Sequence, residues 1–132
     1  MKICGVIICF LFSLTGCKPN PTGDDIPIQF TVKVDSISHT PFGATGDTIT
    51  IQFYGVIGYD GCSSFSRIDA IQQPLQLDLT VLGRRDYSSQ CAAVMVYLAG
   101  KEYKVIVNHQ GWYKIQIHQP DGSILKDSLI IK

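Results

Sequence analysis

From residue 28 onward, apolar and polar residues alternate with a period of two. Ile28, Phe30, Val32 and Val34 interleave with Gln29, Thr31 and Lys33. Ile49, Ile51 and Phe53 interleave with Thr50, Gln52 and Tyr54. Leu75, Leu77, Leu79 and Val81 interleave with Gln76, Asp78 and Thr80. Tyr103, Val105 and Val107 repeat the pattern, as do Tyr113, Ile115 and Ile117. Successive side chains of a strand point to opposite faces, so this period predicts strands with one face in a core. Phe65 to Ile71 predicts a weaker strand. In residues 91–99, Val94, Val96 and Tyr97 favour a strand, while Ala92, Ala93 and Met95 permit a short helix. A strand is expected there.

Turn residues separate these runs. Residues 39–47 hold Pro41, Gly43 and Gly46, and residues 55–64 hold Gly58, Gly61 and Cys62, so both read as loops. Pro74 breaks the chain, and Gly83 to Gln90 is a polar loop. Gln119-Pro120-Asp121-Gly122-Ser123 predicts a tight hairpin, because Pro sets φ early in the turn and Gly accepts the left-handed position. With Gln119 opposite Ser123, Tyr113 faces Leu129 and Ile117 faces Leu125. Asp127 then points inward beside Ile115, a conflict that a bulge would relieve. The sum is seven to eight short strands without a clear helix, an all-β antiparallel sandwich.

Composition bounds the function. The 132 residues suggest one domain, and 45% apolar against 17% charged residues is globular composition. Eleven basic side chains balance eleven acidic ones, so no field gathers nucleic acid.

The N-terminal segment differs from the rest. Lys2 precedes an apolar run from Ile3 to Phe12, too short for the roughly 20 residues that span a bilayer and suited to a signal peptide. Leu14-Thr15-Gly16-Cys17 follows and resembles the lipobox of bacterial lipoproteins. That resemblance implies cleavage after residue 16, diacylglycerol on the Cys17 thiol and an acylated new amine. Two or three acyl chains hold firmly to a membrane, since each buried methylene contributes about 0.8 kcal/mol. Residues 17–27, with Pro19, Pro21 and Pro27, read as the lipidated cysteine and a tether, and residues 28–132 as the domain.

Cysteine arithmetic follows. Cys4 and Cys9 leave with the leader and Cys17 takes lipid, so Cys62 and Cys91 remain in an exported, oxidising compartment. A disulfide between them is expected; two buried free thiols are the alternative.

Gly111-Trp112-Tyr113 resembles the tyrosine corner of immunoglobulin-like domains. It implies a Tyr113 hydroxyl bonded to upstream backbone, with Ile115 where antibody domains carry a cysteine. The whole chain resembles small Bacteroidota lipoproteins, with their lipobox, Pro-rich tether, two mature cysteines and a final hairpin. The resemblance implies a lipid-anchored place in the cell envelope, on the outer membrane, at its periplasmic face or on the cell surface.

No catalytic set emerges. His39, His109 and His118 lack ligand spacing and read as solvated or strand-edge residues, and no metal or other cofactor is expected. Asp60-Gly61 and Asp121-Gly122 read as turn chemistry, and Gly61-Cys62-Ser63-Ser64 lacks the pattern of a nucleophile elbow. Tyr59, Arg84, Arg85 and Tyr87 sit in loops that the expected disulfide would pin together, and Trp112 alternates outward if Tyr113 is core. Tyr, Trp and Arg are the residue types that carry contact energy. The expected function is therefore a non-catalytic module binding a protein or glycan, with an envelope-complex accessory subunit as the alternative. A protease inhibitor or small hydrolase is a remoter one.

Overall fold

The computed structural model describes residues 26–87 and 90–132. The expected leader at 1–16, the box ending in Cys17 and the tether as far as residue 25 lie outside them, as do Ser88 and Ser89 of the expected 83–90 loop.

The described residues form eleven strands and no helix, so the all-β expectation holds. They are β1 (Ile28–Thr31), β2 (Ser36–Ser38), β3 (Phe42–Gly43), β4 (Thr48–Tyr54), β5 (Val56–Gly58) and β6 (Ser63–Gln73). β7 (Gln76–Arg85), β8 (Val96–Tyr97), β9 (Lys101–Ile106), β10 (Gly111–His118) and β11 (Ile124–Ile131) follow. The count exceeds eight because short pairings occur inside segments that read as loops, and because the alternation at 28–38 is shared between two sheets.

β7 is the centre of the larger sheet. β6 pairs along its full length on one side. On the other side β10 pairs with Gln76–Leu79 and β1 with Leu82–Arg85. β11 and β3 complete the sheet beyond β10. β2, β4 and β9 make the second sheet, and β5 with β8 a small ribbon. The sandwich is not antiparallel throughout, since β7–β10 and β3–β11 are parallel pairs.

Alternation explains the core. Leu77, Leu79, Val81, Tyr113, Ile115 and Ile117 project from the larger sheet, and Ile49, Ile51, Phe53 and Val105 from the smaller, into one buried cluster. Burying each aliphatic or aromatic side chain contributes about 1.5–3 kcal/mol. Gly83 is required within it: a Cβ there would lie 2.7 Å from the Phe30 ring on the neighbouring strand. Across the open side, the Gln72 amide donates to the Ile106 carbonyl at 2.7 Å and joins the sheet edges.

Two local expectations fail. Residues 91–99 are not a strand; only Val96 and Tyr97 pair, with β5. Ala99 and Gly100 both have positive φ and close a tight turn in which the Lys101 amide donates to the Leu98 carbonyl. Arg84 and Arg85, read as loop, lie in β7, because pairing with β1 and β6 extends that strand past the apolar run.

The final hairpin has the expected register, Tyr113 opposite Leu129, Ile115 opposite Asp127 and Ile117 opposite Leu125, without a bulge. The inward Asp127 is accommodated otherwise. β3 pairs only with Ile130 and Ile131, which leaves the earlier part of β11 at the sheet edge. There Asp127 accepts from the Ser128 amide at 2.8 Å and contacts His39 Nε2 at 3.1 Å. His39 is therefore not solvated; its side chain is 7% exposed. An inward charge on an edge strand guards it against pairing with another chain.

Tyr113 is fully buried, and its hydroxyl has no hydrogen-bond partner among the described residues. The expected bond to upstream backbone does not form. Burial pushes the phenol above its usual range and Tyr103 adds to this, while the nearby Gln72 side chain, outside hydrogen-bond geometry, opposes it. An unsatisfied buried hydroxyl costs about 1–3 kcal/mol, so Tyr113→Phe should leave stability unchanged or raise it by about 1 kcal/mol in urea titrations. A folded value above the unfolded 10.0 makes stability full below pH 10 and lost as the pH rises beyond it. The Phe variant should lose less there, and a clear destabilisation at neutral pH would mean that the hydroxyl has a partner after all.

Candidate functional site

The structure divides the expected site residues between two ends of the sandwich. At one end, Cys62 and Cys91 form the disulfide, with Cα atoms 5.3 Å apart. Local bonds hold its loops. Asp60 accepts from the Cys62 amide at 3.1 Å and pairs with Arg85 Nη2 at 2.8 Å. The Gly61 amide donates to the Ala92 carbonyl at 2.8 Å, and the Asp86 amide to the Cys62 carbonyl at 3.0 Å. Tyr59 and Tyr87 are exposed there.

Arg84 and Arg85 do not act together. As neighbours in β7 they point to opposite faces. Arg85 turns toward Asp60, while Arg84 Nε donates to Ser64 Oγ at 3.2 Å on the outer face of the larger sheet. Sequence reasoning grouped them because it placed both in a loop.

Trp112 lies at the other end. It pairs with Ile130 across β10–β11, and Ile130 pairs with Phe42 across β11–β3. The three side chains therefore form a row on the outer face of the larger sheet, and Trp112 and Phe42 are 63% and 62% exposed. Two strand spacings separate them, about 10 Å. Lys132 Nζ lies 5.6 Å from the Phe42 ring centroid, and Lys114 is the next outward residue along β10. Packing of Trp112 on Ile130 thus leaves the indole mostly in solvent. The hairpin register already sets Ile130 beside Trp112; sequence reasoning missed Phe42. Phe42 sits between Pro41 and Gly43 with no periodic context, and nothing local says that β3 adds beside β11.

Acid–base chemistry is sparse. A hollow of about 340 Å³ lies beside the final hairpin and is lined by Lys33, Gln119, Asp121, Ser123 and Ile124 among others. Its carboxylate is Asp121, which accepts from the Ser123 hydroxyl at 2.6 Å and amide at 2.9 Å. These bonds hold the Asp121 carboxyl below its usual range. His118 Nε2 lies 3.4 Å from Asp78 on the neighbouring strand. Among the described residues, Asp60, Cys62 and Cys91 alone cluster as metal ligands would, and their sulfurs are joined to each other.

No protein-family model, curated protein or solved structure matches this chain.

Proposed function

We propose that this protein is a lipid-anchored envelope lipoprotein of the Bacteroidota kind, held to the outer membrane through Cys17, whose immunoglobulin-like domain is a non-catalytic protein-binding module. The Leu14–Cys17 box supports the anchor, and the Cys62–Cys91 disulfide agrees with an oxidising compartment. The observation that carries the binding reading is the row of Trp112, Ile130 and Phe42, three exposed apolar side chains in consecutive register positions on one sheet face. Solvent exposure of such side chains is unfavourable unless something covers them. An aliphatic Ile130 between two aromatics suits the apolar anchor of a protein better than a sugar ring, which stacks on aromatic faces.

The test uses a photo-cross-linking residue at position 112 in intact cells. A discrete protein adduct is expected, and Trp112→Ala should weaken binding of that partner about tenfold or more with unchanged unfolding temperature. If no adduct forms and soluble peptidoglycan fragments quench the Trp112 emission, the partner is a glycan. An accessory subunit of a larger envelope complex is the second reading, favoured by the same apolar row. It predicts stoichiometric co-purification of the partner after detergent extraction.

A further inference from the structure

The disulfide end of the sandwich is also the end at which the chain arrives from its N-terminal segment. Ile28 pairs with Arg85 at the top of β7, next to the loops that Cys62 and Cys91 join. Nine residue steps separate Cys17 from Ile26, a reach of about 30 Å when fully extended. The Trp112–Phe42 row is at the opposite end.

Exposed apolar groups crowd the arriving end. Tyr59, Tyr87, Tyr97 and Val94 are more than half exposed, and Ile28 and Met95 about half. Backbone pairing gathers them. Val56 pairs with Tyr97, the Gly61 amide donates to Ala92, and Ile28 lies opposite Arg85. The Tyr97 hydroxyl donates to Met95 Sδ at 3.4 Å. Ion pairs offset charge at this end, Arg85 with Asp60 and Lys33 with Asp35 beside Tyr59, and Arg84 and Asp86 are of opposite sign. Tyrosines with aliphatic neighbours and little net charge are what the headgroup layer of a bilayer accepts, ring in the apolar boundary and hydroxyl in water. The disulfide already holds these loops in place, so little ordering accompanies contact.

We propose that this end rests on the headgroup layer of the bilayer that carries the Cys17 lipid, which turns the Trp112 row away from the membrane. The proposal rests on the lipid anchor proposed above. Balanced charge makes the contact insensitive to salt.

Amide hydrogen exchange on the mature protein in phosphatidylethanolamine–phosphatidylglycerol vesicles tests it, against a Cys17→Ser chain in solution. Intact mass comes first: a protein without lipid removes the anchor reading itself. With the lipid present, amides of 59–62 and 92–97 should exchange about threefold or more slowly on vesicles, at low and high salt alike, while those of 109–112 stay unchanged. Replacing Tyr59 and Val94 with serine in the lipidated protein should abolish the protection. Lipidated protein without protection at 59–62 and 92–97 overturns the docking and leaves the anchor standing. Protection that appears only after envelope proteins are added also overturns it, and assigns this end to a protein.

Discussion

The Cys62→Ser/Cys91→Ser protein is expected to be less stable by about 3–4 kcal/mol. The disulfide spans 29 residues of sequence, and closing a loop of that length in the unfolded chain removes entropy of this size in the chain-entropy model. For a domain of roughly 105 residues, the unfolding temperature should fall by about 15 °C or more. The native loops add to the effect. The Gly61–Ala92 and Asp86–Cys62 backbone bonds and the Arg85–Asp60 pair all bracket the disulfide. Thermal unfolding of the native protein with and without reductant measures the same quantity independently. A fall of only a few degrees would mean that these contacts hold the loops without the covalent link.

Gln119→Ala should cost about 2–4 kcal/mol, although Gln119 belongs to a turn. Between Val32, whose amide donates to Val81 in the larger sheet, and Asp35, whose amide donates to Tyr54 in the smaller, the chain crosses from one layer to the other. Val34 is buried at this crossing. The Gln119 amide supplies both of its backbone partners. Its Oε1 accepts from the Val34 amide at 3.0 Å, and its Nε2 donates to the Val34 carbonyl at 2.9 Å. A side chain thus stands in for a missing strand. Truncation leaves two partly buried backbone groups unpaired, at about 1–3 kcal/mol each. Gln119→Glu keeps an acceptor but sets a carboxylate against the Val34 carbonyl, so at neutral pH it should do no better than alanine. Urea unfolding with an unchanged m-value is the measurement. A loss below about 0.5 kcal/mol for both variants would show that water replaces the amide.

These two cases mark how much of the molecule can be read from residue order. The disulfide is the pair that cysteine counting leaves under the proposed export of the chain and lipidation of Cys17. The hairpin register is equally legible, since Pro120, Asp121 and Gly122 define the turn and the turn defines every pair that follows it, Asp127 included. Gly122 takes its positive φ of 83° as the turn requires. The role of Gln119 is not legible. It depends on Val34 lying 85 positions earlier in the chain, at a crossing that no local pattern announces. The same holds for His39, whose partner Asp127 lies 88 positions later on β11.

Candidate surfaces show the same division. Trp112 is recognisable as outward because Tyr113 is inward, but its neighbours Ile130 and Phe42 come from two other strands. Tyr59, Arg84, Arg85 and Tyr87 read as one group because the expected disulfide pins together the two segments that read as their loops. Strand pairing instead carries β7 through both arginines and sends them to opposite faces.

Alternation by itself determined most of the core, because the period of a strand is a property of neighbouring residues and the apolar half must leave water; Ile57 and Leu98 enter it from segments without that period, and Ile28 and Leu75 stay exposed. Turn residues determined the last hairpin for the same local reason. Which strands lie side by side was decided only by the tertiary structure. Backbone hydrogen bonds are alike for every pairing, so closure of one common core selects the parallel β7–β10 contact, the crossing at Val34 and the placing of the aromatic row opposite the disulfide end.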